Sequence, residues 1–145
     1  ETIRQIRTRI HALQEDSLQS LRGTALAVVD QLAPLLPARP DVSLVGPLDT
    51  ITDEATIAAV EAVLRESLTN VTKHAHATQV RVRIQAGKQQ LHLTVTDNGV
   101  GLGRSTQRSG LANLSRRAER QGGYLEVCDS AEGGLRLRWS IPISQ

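Results

Sequence analysis

Apolar residues recur along this chain with two different periods, and the switch between them outlines the elements. Ile3, Ile6, Ile10 and Leu13 stand three or four apart with Arg and Gln between them, and Leu18 and Leu21 continue at helical spacing. Residues 1–14 therefore read as the end of a truncated helix and 15–33 as a second helical stretch. Asp16, Ser17 and Gly23 are its candidate breaks or caps. Pro34, Pro37 and Pro40 stop all helix, and 42–45 is a short strand candidate closed by Gly46-Pro47. Thr52 or Asp53 then caps a long helix reaching about Ala75, with Ile57, Val60, Leu64, Leu68 and Val71 as its apolar stripe. Period two takes over at 79–85 and 91–96, which Ala86-Gly87-Lys88 joins; such alternation marks a sheet with one covered face. Helical spacing returns over 110–121 and ends at Gly122-Gly123. Tyr124–Asp129 and 135–141 close the chain as a hairpin through Glu132-Gly133-Gly134. This order predicts an α/β class protein, a two-layer sandwich with helices on one face of a mixed or antiparallel sheet.

Composition narrows the partners. At 145 residues the chain is one domain by size and long enough to bury a core. Tyr124 and Trp139 are its only aromatics, so Leu, Val, Ile and Ala must build that core. The same scarcity excludes a base-stacking nucleic-acid platform. A sequence pI near 9.2 sounds basic, yet the net charge is only +2 and the arginines are spread, so no nucleic-acid partner is expected. The single cysteine, Cys128, excludes an internal disulfide and fits a reducing compartment; its strand pattern predicts a buried thiol. No apolar stretch is long enough to span a bilayer and no signal-peptide pattern opens the chain, which points to a cytoplasmic address. Membrane attachment through another part of a longer protein is compatible with this.

Three segments carry candidate chemistry. In Glu66-Ser67-Leu68-Thr69-Asn70-Val71-Thr72-Lys73-His74, positions 66, 70 and 73 share a helix face away from the apolar stripe. That face reads either as solvated surface or as a metal–phosphate site. Asn is a poor helix-interior residue, because its amide competes for backbone hydrogen bonds. A Mg²⁺ ion on a triphosphate would account for it, with Glu66 polarising an attacking group and Lys73 or His74 balancing phosphate charge. Asp97, at the end of a strand, leads into Asn98-Gly99-Val100-Gly101-Leu102-Gly103. This is a tight turn, or an adenine site in which an acceptor-only carboxylate takes the exocyclic amine while Gly99 and Gly101 permit close approach. Gly110 opens the last helix in Ser109-Gly110-Leu111-Ala112-Asn113-Leu114, as a simple cap or as an anion site that Asn113 also reaches.

Taken together and in this order, the segments resemble the boxes of the GHKL ATPases, and within them the catalytic ATP-binding domain of histidine kinases of the NarL/DesK-like subfamily. Residues 66–74 are similar to the N box, 97–103 to the G1 box and 110–113 to the G2 box, and 111–123 fit the subfamily's pattern. The resemblance covers roughly residues 20–143. It implies a Bergerat-type fold that binds ATP·Mg²⁺ and passes the γ-phosphoryl group to a histidine. Asn70 would hold Mg²⁺, Glu66 would act on the acceptor histidine and Asp97 would read adenine. Lys73, His74, Gly99, Gly101, Gly103, Gly110, Leu111 and Asn113 would complete the nucleotide site. Residues 1–14 would then end a dimerisation helix, with 15–145 as the catalytic domain. The implied partners are the dimerisation domain that carries the acceptor and a response regulator, in a homodimeric full-length kinase of which this chain is a monomeric piece. The wording is further similar to that of mycobacterial dormancy-response sensor kinases, which implies haem only in a sensor region outside this sequence.

The chain departs from the pattern at three places. His11 is followed by Ala12, so the subfamily's acceptor motif, His before an acidic residue, is absent. Only residues 104–109 separate the G1 and G2 boxes, where a longer lid is common. Leu135 stands where many members carry Thr. A stand-alone serine kinase of the anti-sigma type shares the boxes, but a helix like that of residues 1–14 argues against it. A non-catalytic nucleotide-binding module is the other alternative, against which the intact Glu66 and Asn70 argue.

Overall fold

Strand alternation decides which face of the sheet is covered. The structure, a computed structural model, describes residues 20–75, 77–99, 108–131 and 133–143. In chain order these form α1 (Leu21–Leu32), β1 (Asp41–Val45), α2 (Glu54–Asn70), β2 (Val80–Ala86), β3 (Gln90–Asp97), α3 (Arg108–Arg120), β4 (Tyr124–Asp129) and β5 (Leu135–Pro142). The sheet order is β1-β2-β3-β5-β4, with β1 parallel to β2 and every other pair antiparallel. It is therefore a mixed sheet, in an α/β fold of two layers. Val80, Val82 and Ile84 of β2, Leu91, Leu93 and Val95 of β3, and Leu137, Trp139 and Ile141 of β5 are all buried. Leu21, Val28, Leu64, Leu68 and Leu114 of the helices join them in one core. Fully burying a leucine such as Leu64 contributes about 1.5–3 kcal/mol, so this core holds the layers together without aromatic bulk. Trp139 is the exception. It is fully buried, and among the described residues its indole N–H has no acceptor.

Local signals set the helix starts. Ser20 caps α1 by accepting a hydrogen bond from the Gly23 N–H (3.0 Å), so Gly23 lies in the first turn and breaks nothing. Asp53 caps α2, accepting from the Thr56 hydroxyl (2.7 Å) and the Thr56 N–H (3.2 Å). These two bonds favour the charged form and hold the Asp53 carboxyl below its ordinary value of 3.8. Because the folded value is the lower one, the cap's stabilisation is present above pH 3.8 and is lost as pH falls through the folded value. Asp53→Asn is expected to retain the cap and flatten this part of the acid-unfolding curve. Thermal melts between pH 2 and 6 check it, and parallel curves for the two proteins would refute it.

Where α2 was expected to run on to about Ala75, its last five residues, Val71–Ala75, form a π-helical turn instead. Cys128 also differs from expectation. It pairs in register with Arg136, and its side chain is half-buried rather than interior. Leu125 and Val127 take the core-facing positions of β4, so Cys128 falls on the opposite sheet face with Arg83, Arg136 and Arg138. Residues 1–14, read as a dimerisation helix, lie outside the described residues. Among those described, no helix is long and apolar enough to cross a membrane.

Candidate functional site

Topology brings the chemistry-bearing segments to one end of the sheet. β1 runs parallel to β2, so α2 begins at the far end and travels back toward the start of β2. There Val80 pairs with Asp97, the last residue of β3. Glu66 and Asn70 stand one turn apart near the end of α2 and are half-buried beside the interior Ser67 and Leu68. Among the described residues, the Glu66 carboxylate and the Asn70 amide have no hydrogen-bond or ion-pair partner. Two half-buried polar groups left open at a helix end can receive a ligand from outside the chain. The shared face expected for 66, 70 and 73 holds for the first two. Lys73 is exposed on the π turn, past the end of the α-helix that carries the other two. His74 belongs to that turn by its backbone.

Asp97 is only 3% exposed. Both of its described hydrogen bonds fall on Oδ1, which accepts from the N–H groups of Gly99 (2.8 Å) and Leu135 (3.3 Å). The carboxylate is thereby fixed by its own turn and by the start of β5. Gly134 makes the second contact possible, since a Cβ there would lie 2.0 Å from the Asp97 carbonyl oxygen and 2.5 Å from Oδ1. Gly134 is thus more than a turn residue, and Leu135 contributes its backbone N–H. Asn98 points the other way. Its Oδ1 accepts from the N–H groups of Thr78 (2.8 Å) and Gln79 (2.9 Å), and its Nδ2 donates to the Thr78 hydroxyl (2.8 Å). This ties the Asp97 turn to the entry of β2. Gly101, Gly103 and residues 104–107 of the short 104–109 segment lie outside the described residues, and 108–109 belong to α3.

The last helix starts at Arg108, so Gly110 sits within its first turn rather than opening it. Leu111 packs against the core, while Asn113 is exposed and accepts a hydrogen bond from Arg116 (2.6 Å). α3 leads into β4, whose first residue pairs with Ser140 at the far end of the sheet, so α3 runs antiparallel to α2. Between them lies a groove of about 210 Å³ lined by Ala62 and Glu66 on one side and Asn113, Leu114, Arg116, Arg117 and Arg120 on the other. The three arginines escaped the sequence reading. Their spacing from Asn113, at three, four and seven residues, is the signal that would have grouped them.

Residues 55–145 match the family described as histidine kinase-, DNA gyrase B-, and HSP90-like ATPases. This chain belongs to that family. Among curated relatives, it is 36% identical over 81 residues to the sensor histidine kinase YxjM of Bacillus subtilis, covering 56% of this chain and 20% of that protein. The sensor histidine kinase MctS of Rhizobium johnstonii is 30% identical over 152 residues, covering 98% of this chain and 32% of MctS. The chain thus spans no more than about a third of these relatives. Among solved structures, the ATP-binding domain of PrrB from Mycobacterium tuberculosis superposes with a TM-score of 0.58 at 24% identity, covering 82% of this chain and 93% of that one. That likeness establishes the fold, with helices over a mixed sheet as observed.

Proposed function

We propose that this chain is the ATP-binding kinase domain of a two-component sensor histidine kinase, working in the cytoplasm. The observation that carries the reading is the placing, at one end of the sheet, of a buried, geometrically fixed carboxylate, Asp97, together with Glu66 and Asn70, whose side chains have no partner among the described residues. In this reading Asp97 accepts the exocyclic amine of adenine at Oδ2, the oxygen that its described bonds leave over, and Gly99 lets the base approach. The start of α3, with Gly110 and Leu111 in its first turn and Asn113 in the next, faces the phosphates, and Lys73 or His74 on the π turn balances their charge.

The Asn70 side chain suits Mg²⁺, which takes one or two protein oxygens and fills the rest of its shell with phosphate oxygens and water. When bound, the ion neutralises charge on the triphosphate. Glu66, one turn back, takes the proton of the acceptor imidazole as its other ring nitrogen bonds to the γ-phosphorus. The bond from that phosphorus to the β–γ bridging oxygen breaks, and ADP leaves. The acceptor histidine belongs to a dimerisation domain, and a response regulator receives the group next.

Mixing the chain with a histidine-bearing dimerisation fragment and Mg·ATP tests this. Acid-labile phosphate on the fragment is the expected result. Acid-stable phosphate on a protein partner would show a serine kinase, and no transfer a non-catalytic module. Asp97→Asn is expected to weaken ATP by about one to two decades. It replaces an acceptor-only group with one whose donors face the adenine amine, and a lost charge-assisted bond costs about 1.5–3 kcal/mol. GTP should bind the unaltered chain more weakly than ATP, since its 6-oxo group meets the carboxylate. Calorimetry giving equal ATP and GTP affinities would dismiss this role for Asp97.

A further inference from the structure

The groove between α2 and α3 carries more positive charge than its own carboxylate balances. Arg116, Arg117 and Arg120 line it against a single acid, Glu66. All three arginines are exposed, and Arg116 directs one donor to Asn113. Among the described residues, Arg117 and Arg120 have no carboxylate partner, and Glu119, the other acid of α3, lies outside the lining. The antiparallel helices give the groove a direction. It leads from Ala62 and Arg120 to Glu66 and Asn113, toward the end of the sheet that holds Asp97. The uncovered sheet face is basic too, but there Arg81 stands opposite Asp41 and Arg138 opposite Glu126 in register. That face also lies across the sheet from Glu66.

We propose that this groove seats an acidic polypeptide segment of the dimerisation domain that carries the acceptor histidine, with Arg117 and Arg120 pairing its carboxylates. The proposal rests on the kinase reading above and adds to it a specificity element for the acceptor. Guanidinium groups engage carboxylates through paired, directional bonds, which set the orientation of the incoming chain. Exposed pairs contribute little affinity each, so the groove acts mainly on encounter and alignment. No aromatic side chain lines it, which disfavours a single-stranded nucleic acid as occupant.

The test titrates the 145-residue chain with octaglutamate, octalysine and a short single-stranded DNA. Octaglutamate is expected to bind saturably and to weaken as salt rises, and octalysine not to bind. The double variant Arg117→Ala, Arg120→Ala should lose about fivefold in octaglutamate affinity, as two exposed pairs would give, while the double Lys variant keeps most of it. ATP affinity should stay within about twofold in both variants, and with a dimerisation fragment the Ala variant should raise KM for the fragment while kcat holds. Unchanged octaglutamate binding in the Ala variant would overturn the proposal. So would DNA binding more tightly than octaglutamate, or a fall in kcat at constant KM. Loss of the kinase reading looks different: no ATP binding and no transfer, with the peptide titration still reporting on the groove.

Discussion

Glu66→Gln should lower phosphoryl transfer to a supplied histidine fragment by about 10²–10⁴-fold, the range a positioned proton acceptor contributes, while ATP affinity changes little. The asymmetry follows from the position of Glu66. It lies one helical turn before Asn70 and lines the groove, on a different element from the buried Asp97. A carboxamide of the same shape preserves the packing and removes only the basicity, so the loss should appear in kcat rather than in nucleotide binding. Glu66→Ala should match it, with any excess reporting lost contact. Single-turnover transfer with labelled ATP provides the measurement. Transfer at the unaltered rate in both variants would reduce Glu66 to a helix-surface residue.

Asn70→Ala and Asn70→Asp should each abolish Mg²⁺-dependent ATP binding or transfer and leave the fold intact. Asn70 carries the only side-chain amide of α2, so no like group of that helix stands in for it. Alanine removes the ligand outright. Aspartate restores an oxygen but adds a charge beside the triphosphate, where like-charge repulsion opposes the nucleotide. Calorimetry with and without Mg²⁺ distinguishes metal-linked from metal-independent binding. Undiminished Mg·ATP affinity and transfer in both variants would remove Asn70 from the site.

Much of this architecture was legible because its signals are local. The alternation in β2 and β3, the Asp53 cap and the Gly122-Gly123 stop each depend on a few neighbouring residues, and each appears where the pattern places it, within one or two positions. The features that escaped are tertiary. Val71-Thr72-Lys73-His74-Ala75 holds neither glycine nor proline, so nothing in it announces a π turn. The adjacent Val127 and Cys128 make the alternation of β4 ambiguous, and pairing with β5 resolves it by seating Val127 against Leu137. The role of Gly134 depends on Asp97, thirty-seven positions earlier, and the groove exists only once α2 and α3 lie side by side. In the candidate site, the residues that surround Asp97 by backbone contact, Gly134 and Leu135, were the hardest to foresee, since any residue but proline can supply an N–H.

Trp139 gives this molecule a built-in optical gauge. The chain holds one indole and one tyrosine, and the indole is sealed in the centre of the sheet between Leu93 and Leu125. Its emission belongs to the core alone and should shift to longer wavelength only when water enters. Glu66, Asn70 and the groove arginines all lie outside that core. A variant that loses ligand binding or transfer but keeps the blue emission has lost chemistry, and one that loses both has lost its packing. The same cuvette therefore separates the two, with no dye or label attached.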